Sequence, residues 1–238
     1  SMERLDKIIA NRGLASRREV KDLVRQGRVL VDGVPASASD VKVSAETAAI
    51  TVDGVPVSGE RYTYLLLHKP AGVLTATEDK RQPTVMDLIP EELRRRDLAP
   101  VGRLDKDTEG LLLLTDDGEL THRLLSPRYH VDKVYYAQVD GIPDSSDAAA
   151  FAAGLLLGDG LQCLPARLEP LGGDTCLVTL REGKFHQVKR MLASRGKPVR
   201  YLKRLSMGPL CLEDTLAPGQ CRKLRPEELA AVRKVCGM

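Results

Sequence analysis

Aromatic residues are scarce in this sequence, which has no tryptophan, two phenylalanines and six tyrosines among its 238 residues. Proteins that bind single-stranded nucleic acid without sequence preference stack successive bases on aromatic side chains. The shortage argues against that mode of binding. If the chain binds nucleic acid, we expect it to recognise the shape and the phosphates of its partner.

Long hydrophobic runs are also missing. No stretch approaches the about 18 consecutive apolar residues that a membrane-spanning helix needs. From Glu3 onward the N-terminal residues alternate between charged and apolar types, which is not the pattern of a secretory signal peptide. The expectation is a cytoplasmic protein that does not contact a membrane.

Metal and cofactor motifs are a third absence. The five cysteines form no C-x-x-C pair and the four histidines are scattered, so a structural zinc site is not expected. The chain has no G-x-G-x-x-G segment and no Walker loop for phosphate. The sequence therefore predicts a protein that needs no metal and no cofactor, with its thiols reduced.

Charge is nearly balanced over the whole chain, at a formal net value of +3, but it is unevenly distributed. Residues 1–30 contain eight lysines and arginines against four acidic residues, and residues 181–225 contain twelve against three. Clustered cations are typical of proteins that bind a phosphate backbone. Each segment taken alone is equally compatible with a solvated helix face.

The N-terminal residues have the pattern of two short helices followed by a strand. Ser16 and Glu19 have the spacing of a capping box before the second helix, and Asp32-Gly33 marks a tight turn after the strand. From its R-L-D-K start through S-R-R-E to G-R-V-L-V-D-G, this segment resembles an S4 RNA-binding domain. The alternative is a small helical adaptor that binds a protein.

The resemblance implies an RNA-binding domain over residues 1–58, followed by a linker around residues 55–60. In such a domain the second helix presents basic side chains to the RNA backbone, which positions the protein without selecting a sequence. The candidate RNA-binding residues of this segment are its cations Arg4, Lys7, Arg12, Arg17, Arg18, Lys21 and Arg25.

A candidate catalytic carboxylate, Asp105, lies two positions after Arg103 and shortly before the apolar run of residues 111–114. A carboxylate at the edge of a buried strand, with a guanidinium beside it, is well placed to stay ionised and to act as a nucleophile or base. The alternative is that Arg103 and Asp105 only pin a loop before the strand.

The wider segment, G-R-L-D-K-D-T-E-G-L-L-L-L-T-D-D-G over residues 102–118, resembles the signature of bacterial RNA pseudouridine synthases. Further blocks match the branch that acts on small-subunit ribosomal RNA (the RsuA type), and they follow in order: H-K-P-A-G at 68–72, S-P-R-Y-H-V-D-K-V-Y at 126–135 and R-E-G-K-F-H-Q-V-K-R-M at 181–191. The resemblance implies a catalytic domain over residues 62–238. Strands and helices without a regular βαβ rhythm favour an α+β fold with a mainly antiparallel mixed sheet.

The resemblance also implies roles for four residues. Asp105 is the essential carboxylate, which adds to ribose C1′ or assists elimination, and Arg103 fills the space that a flipped uridine leaves. Tyr135 stacks on the uracil, with a core aromatic as the alternative reading. Lys189 pairs with Asp105 and favours its ionised form, the alternative being a phosphate-facing or solvated lysine.

The spacing around Lys189 predicts a helix over residues 185–195. Its apolar face consists of Phe185, Val188 and Leu192, and a second face carries His186, Lys189 and Arg190. Further candidate RNA-binding residues in the catalytic domain are His68, Lys69, Lys184, His186 and Arg190.

As substrate, the resemblance implies a uridine of 16S ribosomal RNA, the usual target of the family being uridine 516. The expected partner is this RNA or an assembling small ribosomal subunit, and the expected state is a monomer without an obligate protein partner. Three alternatives are a synthase for 23S ribosomal RNA, a hydrolase that releases uracil, and a non-enzymatic RNA-binding assembly factor. The intact Arg103, Asp105, Tyr135 and Lys189 argue against the last.

Overall fold

The computed structural model describes residues 2–12, 14–45, 47–57 and 62–238. The chain divides into two compact units, one of residues 1–63 with 90–98 and 115–117, the other of residues 64–89, 99–114 and 118–238. Residues 58–61, which include part of the predicted linker, lie outside the described ranges, so the predicted domain boundary there stays a prediction.

The N-terminal part of the first unit contains two helices and two small sheets. Strands β2, β3, β5 and β6 form one sheet in the order β3-β2-β5-β6, and β1 pairs antiparallel with β4. The bounds are β1 (Met2–Arg4), α1 (Leu5–Asn11), α2 (Arg17–Arg25), β2 (Val29–Val31), β3 (Val34–Pro35), β4 (Lys42–Ser44), β5 (Ile50–Val52) and β6 (Val55–Pro56).

One apolar cluster joins these helices and strands. Its buried members are Leu5, Ile8, Ile9, Val20, Val24, Val29, Ile50 and Val57. Helix α2 begins as predicted, because the Ser16 hydroxyl accepts a hydrogen bond from the Glu19 amide (3.1 Å). Asp32 and Gly33 have φ values of 51° and 81°, which suit the tight turn between β2 and β3. The packing leaves the polar face of α2 in solvent.

The second unit is built on one large sheet. Its strand order is β11-β12-β10-β13-β9-β7-β15, with β8 beside β9 and β14 beside β13. The strands are β7 (Tyr64–Lys69), β8 (Ala99–Pro100), β9 (Glu109–Thr115), β10 (Lys133–Val139), β11 (Arg167–Gly172), β12 (Thr175–Leu180), β13 (Val199–Met207), β14 (Leu210–Cys211) and β15 (Cys221–Lys223). The helices are α3 (Gly118–Leu125), α4 (Ser145–Ala153), α5 (Gln187–Ser194) and α6 (Pro226–Val235).

The sheet is mixed and mainly antiparallel, which confirms the predicted α+β class. Strand β10 is antiparallel to both β12 and β13, whereas β9 runs parallel to β13. Short 3-10 helices span Val85–Leu88, Glu91–Leu93 and Pro127–Tyr129. Within the described ranges, no helix is both long and apolar enough to cross a bilayer.

Strand β9 fixes the position of the loop that precedes it. Its residues 111–114 are completely buried, as expected for a strand covered on both faces. At its start, Gly110 has a φ of 115°, and a Cβ there would lie 2.2 Å from the Arg204 carbonyl oxygen. Only glycine permits this close approach to β13. The loop before β9 therefore lies directly beside β13.

Candidate active site

Asp105 lies in the loop between β8 and β9, and its neighbours hold that loop in place. The Thr75 hydroxyl donates to the Leu104 carbonyl (2.9 Å), and the Thr108 amide donates to the Asp105 carbonyl (3.0 Å). Leu104 is buried, but 26% of the Asp105 side chain is exposed. The loop therefore has a fixed backbone and presents its carboxylate to solvent.

Two basic side chains from the start of α5 contact the Asp105 carboxylate. Lys189 Nζ lies 2.9 Å from Asp105 Oδ2, and His186 Nε2 lies 3.2 Å from Asp105 Oδ1. Lys189 also donates a hydrogen bond to Asp107 Oδ1 at 2.6 Å. One ammonium thus bridges two carboxylates of the same loop, and each Asp105 oxygen has a basic partner.

The Lys189–Asp107 contact alters the titration of both groups. Burial disfavours the Lys189 charge, but hydrogen bonds to Asp107 and Asp105 outweigh it, and the pKa of Lys189 is raised. The hydrogen bond from Lys189 lowers the pKa of Asp107, against a smaller opposing effect of burial. Lys189 is therefore a cation and Asp107 an anion at neutral pH.

Helix α5 begins later than the sequence predicts. A turn precedes it, in which the Gln187 amide donates to the Lys184 carbonyl and the Lys184 amide donates to the Gln187 side-chain oxygen, each at 3.1 Å. His186 has a φ of 48°, in the left-handed region, and is the residue before the helix. This turn directs His186 to Asp105 and leaves Phe185 75% exposed. The predicted place of Phe185 on the buried face is therefore wrong, although Val188 and Leu192 are buried there.

Tyr135 is in β10, an inner strand of the sheet in which alternate residues are buried. It is only 8% exposed, and the following Tyr136 is half-buried on the opposite face, as expected for a strand. Tyr136 meets Tyr201 edge to face, and the Tyr201 hydroxyl donates to Glu109 Oε2 (2.6 Å). Burial, with help from Glu109, raises the pKa of Tyr201. Tyr135 lines a cavity together with His186 and Lys189.

A cavity of about 70 Å³ brings together all four residues predicted to be catalytic. Its lining includes Arg103, Asp105, Tyr135 and Lys189, along with His186. Arg103 is exposed, and within the described parts of the chain no hydrogen bond or ion pair to its guanidinium is present. No cluster of three His, Cys, Asp or Glu side chains that could hold a metal occurs in those parts. The cavity thus joins a lysine–aspartate pair, a guanidinium and a buried aromatic ring.

Comparison with known proteins places the chain in a family. Residues 63–194 match the RNA pseudouridylate synthase family, and residues 3–47 match the S4 domain. The chain belongs to the RNA pseudouridylate synthase family. It is thus an RNA pseudouridine synthase with an N-terminal S4 domain.

Similar proteins cover nearly the whole synthase. An uncharacterized RNA pseudouridine synthase of Bacillus subtilis is 47% identical, over 95% of this chain and 96% of its own length. A ribosomal small subunit pseudouridine synthase A of Pseudomonas aeruginosa is 41% identical, over 96% of this chain and 100% of its own length. A crystal structure of a pseudouridylate synthase aligns with a TM-score of 0.68 at 35% identity, over 97% and 99% of the two chains.

Three of the residues that the sequence predicts to bind RNA have other partners within this synthase. His68 is 5% exposed and its Nδ1 lies 2.8 Å from the Leu216 carbonyl oxygen, while Lys69 is completely buried. Neither can reach RNA, because β7 is covered on both faces. Arg190 pairs with Asp159 and donates to the Phe185 carbonyl (3.1 Å). By contrast, Lys184 and His186 are exposed at the cavity.

In the S4 domain, five of the seven predicted cations border one groove of about 640 Å³. They are Arg4, Arg17, Arg18, Lys21 and Arg25. Two of them also have acidic partners, since Arg4 contacts Asp6 (2.8 Å) and Arg25 contacts Asp22 (2.6 Å). Lys7 and Arg12 lie outside the groove lining, and Arg12 donates to the Val57 carbonyl (3.3 Å). The groove is the main concentration of exposed cations on α2.

Lys69 has a structural role at the site that the sequence analysis missed. Its ammonium donates to the carbonyl oxygens of Pro70 (2.9 Å), Lys106 (3.0 Å) and Thr108 (2.7 Å). Two of these carbonyls belong to the loop that carries Asp105. The run Y-L-L-L-H-K in β7 carried a signal, because a strand buried on both faces also buries the lysine at its end.

We expect Lys69→Met to lower both the stability and the turnover of the synthase. Methionine fills a similar space but leaves three inward carbonyls without their donor, which should reduce the free energy of unfolding by about 3 kcal/mol. Loosening the Asp105 loop should reduce the single-turnover rate about tenfold, because misplaced catalytic groups lose rate steeply. Urea denaturation and single-turnover assays measure the two effects. Exposed Lys80→Met is the matched control and should change neither; equal behaviour of the two variants would contradict the role of Lys69.

The burial of Lys69 also predicts how turnover depends on pH. Burial lowers the pKa of Lys69 to about 8, against the opposing charges of Asp107, Glu109 and Asp105. The unfolded chain keeps this proton up to about pH 10.5, so deprotonation above pH 8 increases the contribution of Lys69 to stability. The neutral amine nevertheless has two hydrogens for three carbonyls. Turnover should therefore fall above about pH 8 with no matching fall in Tm from this group, and Lys69→Met should lack that step.

Proposed function

We propose that this synthase converts one uridine of small-subunit ribosomal RNA to pseudouridine, with Asp105 as the essential carboxylate and uridine 516 of 16S ribosomal RNA as the target. The observation that carries the catalytic part is the pairing of Asp105 with Lys189 and His186 at a cavity lined by Tyr135. The substrate part rests on similarity to relatives named ribosomal small subunit pseudouridine synthase A, among them those of Pseudomonas aeruginosa and Vibrio cholerae.

The reaction breaks the bond between ribose C1′ and uracil N1, turns the base, and joins C5 to C1′ with loss of the C5 proton. No oxidant and no external atom enters, so a carboxylate in a closed pocket is sufficient. Asp105 acts in its ionised form, either by adding to C1′ or by assisting elimination. Lys189 stabilises that form, because its ammonium lies 2.9 Å from one carboxylate oxygen.

Access to the uridine requires that the base leave its stack, which costs a few kcal/mol. Arg103 supports this step, since its exposed guanidinium is a planar cation that can occupy the vacated position. Tyr135 supports binding of the flipped base, since its buried ring lines the cavity and can stack on the extruded uracil. Its hydroxyl is the group we assign to removal of the C5 proton.

The test of the substrate is a pseudouridine map of ribosomal RNA from cells with and without the protein. Carbodiimide adducts at pseudouridine stop reverse transcription, so a lost stop identifies the target. Loss of one stop at uridine 516 of 16S ribosomal RNA is expected. Loss of a stop in 23S ribosomal RNA instead would keep the chemistry and overturn the proposed substrate, and unchanged maps would argue against ribosomal RNA as substrate.

The S4 groove gives a prediction for RNA binding. Replacing Arg17 and Lys21 by alanine removes two exposed cations that border it. If both contact phosphates, Kd should rise and the slope of log Kd against log salt should fall by about 1.5. Filter binding over a salt series measures both quantities.

Arg28→Ala provides the control for that variant. Arg28 is also an exposed cation of the S4 domain, but it already pairs with Asp53 at 2.6 Å and does not line the groove. We expect its removal to leave the salt slope unchanged. An equal effect of Arg28→Ala would mean that general charge, not this groove, determines binding.

A further inference from the structure

Phe185 is the most exposed large apolar side chain in the described parts of the synthase, with 75% of its surface open. All eight phenylalanines and tyrosines lie within the described ranges, and of these Phe185 alone is exposed, since the other seven are buried or half-buried. A single exposed apolar side chain is common on protein surfaces, but this ring lines a cavity beside Asp105 and is therefore available to a ligand that binds there.

The ring is held in place from one side. The His186 ring stacks on it with centroids 3.7 Å apart and planes 18° apart, and His186 itself contacts Asp105. The Phe185 carbonyl accepts from Arg190, which is anchored to Asp159. The result is a fixed column of two rings that ends at the catalytic carboxylate. A third planar ring can extend that column on the open side of Phe185.

Phe185 lines a second cavity, of about 460 Å³, that adjoins the one around Asp105. The residues common to both cavities are Arg103, Leu104, Asp105, Gly183, Lys184 and His186. Lys184 is exposed, and no side-chain ion pair holds it among the described residues. A ligand in the second cavity would therefore lie next to a base in the first, with a free ammonium at their boundary.

We propose that the second cavity binds the nucleotide directly next to the flipped uridine in the RNA, with its base stacked on Phe185. The phosphate that joins the two nucleotides lies beside Lys184. This rests on the proposed function only in taking the Asp105 cavity as the site of the uridine. Stacking accepts any base, because every base has a π-face, so Phe185 adds affinity and positioning with little sequence selection.

The charge and shape of the two cavities favour a nucleotide over an apolar protein segment. Lys106 and Arg103 line the second cavity with Lys184, which gives three cations around one aromatic ring. An apolar peptide would leave those cations desolvated and without partners. A nucleotide offers a flat ring and an anionic linker together.

The test uses the full-length synthase and a short RNA around the uridine identified by the pseudouridine map. Phe185→Leu keeps an apolar side chain but removes the ring face, and Phe185→Trp keeps a face. We expect Phe185→Leu to raise the RNA concentration for half-maximal single-turnover rate about tenfold. The rate at saturating RNA should stay within about twofold, and Phe185→Trp should behave like the parent protein. Leu156→Ala, at another largely exposed apolar residue, is the control and should have no effect.

An abasic substitution on each side of the target uridine identifies the stacked nucleotide. On one side of the uridine, the abasic substitution should raise the RNA concentration for half-maximal rate about tenfold with the parent protein. With Phe185→Leu it should cause no further increase, because the two changes remove the same contact. Independent effects of the two changes, or no effect of Phe185→Leu, would overturn the inference, and the former result would favour a different partner for the ring. If the parent protein does not modify the mapped RNA at all, the proposed function fails instead.

Discussion

Asp105→Asn should abolish pseudouridine formation while RNA binding survives. The amide has nearly the same shape as the carboxylate, but it is neutral and can act neither as the nucleophile nor as the base that the reaction needs. Because essential groups of this kind dominate the rate, we expect a loss of at least about a thousandfold in the single-turnover rate. Tritium release from C5 of labelled uridine measures the rate, and filter binding measures the affinity.

Asp107→Asn is the matched comparison in the same loop. Asp107 contacts Lys189, as Asp105 does, but its side chain is 76% exposed and it does not line the Asp105 cavity. We expect Asp107→Asn to reduce the single-turnover rate by less than about tenfold, because Lys189 keeps its contact with Asp105. Ordinary activity in Asp105→Asn would show that another group does the chemistry. Equal losses in the two variants would show that the loop as a whole, and not one carboxylate, is required.

Lys189→Met should produce the second largest loss, of about a hundredfold in the single-turnover rate. It removes the cation that bridges Asp105 and Asp107 and leaves two neighbouring carboxylates without it, which disfavours having both ionised. Lys189→Arg should retain most of the activity, because a guanidinium keeps the charge and can contact both carboxylates. Single-turnover rates of the three proteins across a pH series test this ranking.

The pH dependence of the bridge follows from the two shifted groups. The pKa of Asp107 is lowered in the folded protein. Its contribution to stability is therefore present above about pH 3.8 and is lost as the pH falls through the pKa of the folded protein. The pKa of Lys189 is raised, so its contribution is present below about pH 10.5 and is lost as pH rises through the folded value. The parent protein should keep the bridge between these limits. In Lys189→Met the acid limb of the rate profile should move to higher pH, and an unchanged limb would argue against the bridge.

Local sequence patterns predicted individual elements well. The capping residue Ser16 and the turn at Asp32-Gly33 depend on neighbours within a few positions, and each has the predicted form. These features follow from backbone geometry and short-range hydrogen bonds, which the order of residues contains directly.

The identity of side-chain partners was harder to predict. Phe185 was assigned to a buried helix face, but the turn closed by Lys184 and Gln187 delays α5 and sends the ring outward. Lys69 was predicted to bind RNA, but β7 is covered on both faces and the Lys69 ammonium donates to three carbonyl oxygens. Helical periodicity and residue charge give no information about which strand or loop lies opposite a side chain.

The sequence by itself determined the α+β class, the synthase family and the candidate residues Arg103, Asp105, Tyr135 and Lys189. Tertiary structure added the contacts that the sequence analysis did not predict, because Lys189 and Asp107 are 82 positions apart in the chain and meet only when α5 packs beside the β8–β9 loop. The same packing brings His186 into contact with Asp105 and leaves Phe185 exposed to solvent. Residue order sets local conformation, whereas contacts between distant segments set the charge, burial and neighbours that chemistry requires.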